Sequence, residues 1–366
     1  MIYGHGDDAH SQTHPIRDDF SSNTRPDGPP SELIDHLRAR LTAIARYPEP
    51  AADTVRRQLA AAHHVSAAQV LVTAGATAAI YLVAQTHRAR ASLILTPTFS
   101  EYEDACRLHD HALAFAPRSA FLAAPAAFLA PAPANAATPD LLWLCNPNTP
   151  PGEAAPRDAL LALIDAHPRT RFVIDQSYAD FCPLTPIQPA DTTARENLIL
   201  IRSLTKTLGI PGLRIGHVFA SASNIAALAR HLQPWAVNTL ALEAAAYYLA
   251  HRARLAPPLE SWLAHARALS RAVADLEGYT PLPTATPFFL IELARGTSSA
   301  LKQHLVEKHG ILIRNAANFR GLTSRHIRVS PQSPWQNHRL AQALQTYLGT
   351  PASFRQTARG IAKPPE

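Results

Sequence analysis

The sequence is poor in cysteine: Cys106, Cys145 and Cys182 are scattered without metal-ligand spacing. They make no disulfide framework, and a reducing cytoplasm is the default expectation. No apolar run is long enough to span a bilayer. The stretch from Met1 to Asp8 lacks a basic region followed by an apolar one, so no secretory signal is read there. Lysine and arginine outnumber aspartate and glutamate by 34 to 28, a formal charge of +6, yet form no long run and no ladder with aromatics. That argues against a nucleic-acid footprint and leaves a mild attraction for phosphorylated small molecules. Histidine is plentiful, but the one His-x-x-x-His spacing, His10 to His14, falls in a stretch without helical periodicity and no Cys–His spacing accompanies it, so no metal site is expected.

What is present is an alternation of strands and helices. Apolar runs at 70–72, 93–95, 141–145, 172–174, 198–201 and 215–220 read as buried strands, most of them followed by helical patterns. This alternation predicts an α/β fold with a mainly parallel sheet. Residues 1–30 carry punctuation rather than periodicity and read as an arm. Residues 31–255 read as the large domain, opening on a helix over 32–45 capped by Ser31. Residues 256–349, with strands at 287–293, 311–314 and 326–329, read as a smaller domain, and 350–366 as a tail. The Ala/Pro-rich stretch 117–139 reads as loop and exposed strand edge.

The stretch from Ser203 to Gly216 lies between two of these strands and holds three hydroxyls, Lys206 and Arg214, with glycines that permit tight turns. A lysine directly off a buried strand is poorly hydrated and gives up its proton more readily. A neutral amine can condense with an aldehyde. Ser203, Thr205 and Arg214 can hold a phosphate beside it. Gly75, Ala76 and Thr77 form a turn at a helix N-terminus, where free N–H groups and the dipole suit an anion. Asp175, ending a strand, can keep a pyridine nitrogen protonated; taken singly it is as good a helix cap. Phe99 can stack on a flat ring and Tyr178 can donate to a phenolic oxygen, although each taken singly is an ordinary core aromatic. Gly75, Phe99, Thr149, Asp175 and Lys206 all follow strand C-termini, where open α/β sheets bind ligands. Together they are the parts that pyridoxal 5'-phosphate requires: lysine, phosphate cup, anion and flat neighbour.

These pieces, with Arg46-Tyr47-Pro48, Arg202-Ser203-Leu204-Thr205-Lys206, Ile210-Pro211-Gly212-Leu213-Arg214, Pro234-Trp235-Ala236-Val237-Asn238 and Asn318-Phe319-Arg320-Gly321-Leu322, resemble the class I/II aminotransferase family of fold-type-I pyridoxal-phosphate enzymes. Within it the chain is similar to the L-threonine-O-3-phosphate decarboxylases of cobalamin biosynthesis, with the histidinol-phosphate aminotransferases as the neighbouring branch. The resemblance implies a mainly parallel sheet flanked by helices, with a smaller α+β C-terminal domain. It implies a homodimer in which Tyr47 reaches the cofactor phosphate of the other subunit. By the same resemblance Arg328 binds the α-carboxylate of a phosphorylated amino-acid substrate. Arg314, helped by His5 and Gly6, binds the substrate phosphate, and Asn23 closes over the substrate.

One departure stands out. The family's usual loop reads Asn-Pro-Asn-Asn-Pro-Thr-Gly, and its second loop asparagine serves the cofactor's phenolic oxygen. Here that position is Thr149, and Pro151 replaces the following threonine. Decarboxylation of L-threonine O-3-phosphate is therefore the expectation. An aminotransferase, such as one for histidinol phosphate, is the alternative within the family. A cofactor-binding regulator or scaffold is the alternative outside enzymology.

Overall fold

In the computed structural model of the chain, the described residues are 7–129 and 139–348. His5, Gly6 and the expected tail at 350–366 lie outside them. The chain packs as two compact units, the larger spanning 28–149 and 154–257, and the smaller taking 7–27, 150–153 and 258–348 of the described residues.

The larger unit is built on β1 (Val70–Thr73), β2 (Ala91–Thr96), β3 (Ala112–Pro117), β4 (Leu141–Cys145), β5 (Arg171–Asp175), β6 (Leu198–Ser203) and β7 (Gly216–Ala220). They form one sheet in the order β1-β7-β6-β5-β4-β2-β3. The run from β6 to β3 is parallel throughout, while β7 lies antiparallel to both β1 and β6. Strand alternation sends Leu142, Leu144, Phe172, Ile174, Leu198 and Leu200 to one face, and Trp143, Val173, Ile199 and Ile201 to the other. Both faces are buried, which is why these strands read as continuous apolar runs. Each such side chain contributes roughly 1.5–3 kcal/mol by leaving water.

The edge strand β3 alternates exposed and half-buried residues along most of its length. It carries only a weak apolar signal and was not among the expected strands. The expectation of loop from 117 onward is corrected as far as Leu129, where helices occupy Arg118–Ala123 and Ala126–Leu129. Phe121 and Leu129 anchor them in the core, and Arg118 is buried, donating to Cys145 O and Asn146 Oδ1. The first long helix is also shorter than expected. It spans Ser31–Ala39, with Pro30 rather than Ser31 at its cap, and gives way to a 3-10 turn at Leu41–Ala45.

The smaller unit carries β8 (Tyr279–Pro281), β9 (Phe289–Leu293), β10 (Arg314–Asn315) and β11 (His326–Val329), antiparallel in the order β10-β11-β9-β8. Asp18–Asp19 pairs in parallel with Ile311–Leu312, and Arg339 closes an ion pair on the buried Asp18. Phe20, Leu269, Phe289, Ile327 and Leu340 share its core. Residues 150–153 join this unit, where the expected boundaries place them in the large domain. The reason is local: Gly152 O accepts from Ala285 N at 2.9 Å. A Cβ on Gly152 would lie 2.0 Å from Thr284 Oγ1, so only glycine packs there. No described helix is long and apolar enough to cross a membrane.

Candidate active site

Parallel strands end on one side of a sheet, and the larger unit collects its polar residues there. A cavity of about 100 Å³ is lined by Lys206, Asp175, Ser203, Thr205, Arg214 and Thr77. Ala76, Phe99, Thr149 and Tyr178 also border it. These residues come from five separate connections that follow strands, and the fold brings them to one cavity.

Lys206 sits in a one-turn helix, Leu204–Thr207, that follows β6 directly. Ser203 ends that strand, and its Oγ lies 2.7 Å from Thr205 Oγ1. Gly75 caps the helix Ala76–Thr86 with φ +91°, a conformation that favours glycine. Thr73 Oγ1 donates to Gly75 O at 3.0 Å and fixes the turn. A Cβ on Gly216 would fall 2.6 Å from Ala76 N, so glycine in β7 lets the helix start approach the sheet closely. Arg214 is held in the left-handed region at φ +58° and donates from Nη1 to Pro211 O at 3.1 Å. Unpaired N–H groups of a first helical turn, two hydroxyls and a guanidinium form a cup with donors and positive charge, as a phosphate requires.

Asp175 is the last residue of β5 and is buried. Its Oδ1 accepts from Ser177 N, and its Oδ2 accepts from the Tyr102 hydroxyl, each at 2.8 Å. Burial pushes its carboxyl above the ordinary range, against the hydrogen bonds from Ser177 and Tyr102 and the pull of Lys206. A buried carboxylate of this kind favours a cationic N–H partner, and a protonated pyridine nitrogen is one. Phe99 meets the Tyr102 ring edge-on at 5.9 Å, and Tyr102 stacks on Trp143 at 5.7 Å. The donor set and the buried carboxylate thus fit pyridoxal phosphate at both ends: a phosphate cup, and an acceptor for a ring N–H.

Three lining or supporting residues escaped the sequence reading. Tyr102 supports Asp175 from 73 positions away. Ser177 borders the cavity with a buried hydroxyl that has no partner among the described residues. Cys145 borders it too, its thiol pushed up to about 12 by burial and by Asp175, so it is a neutral group rather than a nucleophile. The first two were legible only as the sixth residue of Pro97-Thr98-Phe99-Ser100-Glu101-Tyr102 and as a neighbour of Asp175.

Asn148 is engaged away from this cavity. Its Oδ1 accepts from Thr98 Oγ1 at 3.0 Å and its Nδ2 donates to Pro97 O at 2.9 Å. Tyr47 is not on the cavity either: it is 86% exposed, its ring 5.6 Å from that of Trp235.

The remaining expected residues lie in the smaller unit. Arg314 and Arg328 face each other across β10 and β11, and both are buried. Arg314 donates to Asn315 O at 2.7 Å and Asn318 Oδ1 at 2.8 Å, and lies over the Phe319 ring. Arg328 donates to Ser21 O at 2.6 Å, near the buried Asn23 in the same segment. Burial and the neighbouring Arg328 push Arg314 down to about 9. Two adjacent buried guanidiniums favour a ligand with more than one negative charge.

The family profile for aminotransferase class I and II matches residues 19–344. The threonine-phosphate decarboxylase of Salmonella typhimurium is 33% identical over 342 residues, covering 90% of this chain and 91% of that protein. The crystal structure of L-threonine-O-3-phosphate decarboxylase from Porphyromonas gingivalis superposes with a TM-score of 0.84 at 40% identity, covering 90% of this chain and 99% of that one. The histidinol-phosphate aminotransferase of Sinorhizobium meliloti, solved with pyridoxal-5'-phosphate, shares the fold with a TM-score of 0.80 at 20% identity over 92% of both chains.

Proposed function

The chain belongs to the class I and II aminotransferase family of pyridoxal-phosphate enzymes, and from that premise we propose that it decarboxylates L-threonine O-3-phosphate to (R)-1-aminopropan-2-yl phosphate in cobalamin biosynthesis. The observation that carries this reading is the buried Arg314–Arg328 pair, two cations side by side on adjacent strands. Threonine phosphate offers a carboxylate to one and a phosphate to the other. The two threonine-phosphate decarboxylases to which the chain is similar support the same reading.

In the proposed site Lys206 holds the cofactor and then moves a proton at the substrate Cα. Ser203, Thr205, Arg214 and the first N–H groups of the helix at Ala76 hold its phosphate. Asp175 accepts the hydrogen bond of its ring N–H. Phe99 packs on the ring, and Thr149 and Tyr178 serve its phenolic oxygen. The bound cofactor supplies an electron sink for the pair left at Cα when a bond there breaks. Arg328 would hold the substrate carboxylate and Arg314 its phosphate, and the two together would fix the substrate's orientation.

The protein is proposed to work as a cytoplasmic homodimer. Leu41, Ile44, Tyr47 and Trp235 are large apolar side chains of the larger unit left 49–86% exposed, and a second copy would cover them. Sedimentation at micromolar protein tests this; a monomer speaks against it.

A product assay tests the reaction. Carbon dioxide and aminopropanol phosphate should form from threonine phosphate without any 2-oxo acid. Turnover that needs a 2-oxo acid and yields a new amino acid would instead mark an aminotransferase, as in the relatives that act on histidinol phosphate.

A further inference from the structure

A second cavity, of about 40 Å³, shares only Ser177 and Ser203 with the one around Lys206. Strand alternation explains how it arises. Ser203 and Arg202 are consecutive in β6, so their side chains leave the sheet on opposite faces. Arg202 pairs across the strands with His217 of β7, which places both on one face. Gln176, His63, Asp180, Arg252 and Tyr248 add to the polar lining, with Ser177 and Ser203 at its border with the first cavity.

The hydrogen bonds of this lining do not balance. Arg202 donates from Nε and Nη2 to Gln176 Oε1 at 3.2 and 3.1 Å, and from Nη2 to Ile187 O at 2.9 Å. All of these acceptors are neutral. Holding Gln176 by its oxygen leaves its Nε2 buried with no acceptor among the described residues. Nδ1 of His217, a side chain only 3% exposed, is likewise without a partner there. Asp180 is the one carboxylate of the lining, against the two guanidiniums of Arg202 and Arg252, and its Oδ2 already accepts from Thr207 Oγ1 at 2.7 Å. Burial and these two arginines also push His63 down to about 3 and His217 well below the ordinary range, the mark of a desolvated, positive surrounding. What the cavity lacks is a second negative charge, since Asp180 alone stands against the guanidiniums of Arg202 and Arg252.

We infer that this cavity binds a small monovalent anion, of chloride or formate size, between Arg202, Arg252, Gln176 Nε2 and His217 Nδ1. The volume is room enough for one such ion, and one guanidinium in excess of the single carboxylate calls for a single negative charge. The ion supplies the missing acceptor and offsets the excess positive charge. It sits behind Ser203, apart from the cup for the cofactor phosphate. The site is independent of the reaction proposed above.

The holoenzyme is the material for the test, since the bound cofactor fills the cup. Crystals soaked in bromide should show an anomalous peak in this cavity. In solution, chloride replacing gluconate at constant ionic strength should raise the melting temperature and saturate. Arg252 is exposed, so Arg252→Gln should fold, keep its cofactor absorbance and lose most of that rise, while the anion-binding arginines of the smaller unit stay intact. Water alone in the cavity would overturn the inference. So would a bromide peak without a chloride effect in solution, or an equal rise in Arg252→Gln and the parent protein.

Discussion

The hydroxyl of Tyr102 donates to Asp175 Oδ2 at 2.8 Å, from a ring fixed against Trp143. Both residues are buried, and burial drives the tyrosine pKa well above its ordinary value, so Tyr102 remains a donor at any working pH. That donor favours the charged form of Asp175 against the effect of burial, and the charged form is the one that a protonated pyridine nitrogen needs. Removing it leaves a buried acceptor, at a cost of about 1–3 kcal/mol. Tyr102→Phe should therefore raise the proton affinity of Asp175, shift the pH titration of the bound cofactor's absorbance, and lower kcat by about tenfold or more. An unchanged titration would show that Ser177 N alone suffices to hold the carboxylate.

Gly75 and Arg214 are in equally close register. A Cβ on Gly75 would come within 2.6 Å of Arg214 Nη2, at a φ of +91°. The alanine variant must then move the guanidinium out of the phosphate cup and also bear backbone strain, together roughly 1–3 kcal/mol. Gly75→Ala should bind pyridoxal phosphate about tenfold or more weakly while keeping its far-UV dichroism. Unaltered affinity would mean that Arg214 contributes little to the cup.

The legible part of this chain is the part whose signal is local. Strands β4, β5 and β6 are buried on both faces, so Leu141, Phe172 and Leu198 announce them without help from distant residues. The stretch from Ser203 to Arg214 was readable for the same reason, since hydroxyls, lysine and arginine sit within one connection. The strand β3 was not, because an edge strand half in water has little apolar signal. Phe121 and Leu129 turn an alanine- and proline-rich stretch into two short core-anchored helices, and composition masks two residues among many alanines. Tyr102 and the shift of 150–153 to the smaller unit depend on partners far along the chain, Asp175 and Thr284, which no local pattern announces. His217 and Arg202 became a cavity lining only once the register of β6 and β7 was known.

Thr149 takes the place of an asparagine, and the structure narrows what can compensate. Asn148 cannot turn toward the cavity without giving up its bonds to Thr98 and Pro97. Of the expected partners for the phenolic oxygen, Thr149 and Tyr178 border the cavity. A threonine hydroxyl is shorter than a carboxamide, and a lengthened or lost hydrogen bond costs about 1 kcal/mol. Thr149→Asn should shift the absorbance titration of the bound cofactor. An unmoved titration would assign that oxygen to Tyr178.

The last prediction concerns Arg314. Its guanidinium is buried opposite Arg328, and those two causes bring it down to about 9. The sign of the linkage follows. Between about 9 and the ordinary arginine range the unfolded chain binds the proton more tightly, so the unliganded fold carries a penalty for this charge below about pH 9 that is relieved as pH rises through that value. A phosphate relieves the same penalty at neutral pH by adding negative charge beside the two guanidiniums, to that of Asp8. Charge-assisted hydrogen bonds of this kind are worth roughly 1.5–3 kcal/mol. Arg314→Ala should therefore weaken binding of threonine phosphate by about ten- to a hundredfold while changing that of unphosphorylated threonine little, because Arg328 retains the carboxylate. In the parent protein the preference for the phosphorylated ligand should fade as pH passes about 9, and in Arg314→Ala it should already be small at pH 7. Calorimetry with both ligands at pH 7 and pH 10 reads both effects. Equal losses for the two ligands would remove Arg314 from phosphate recognition and leave it a structural neighbour of Phe319 and Asn318.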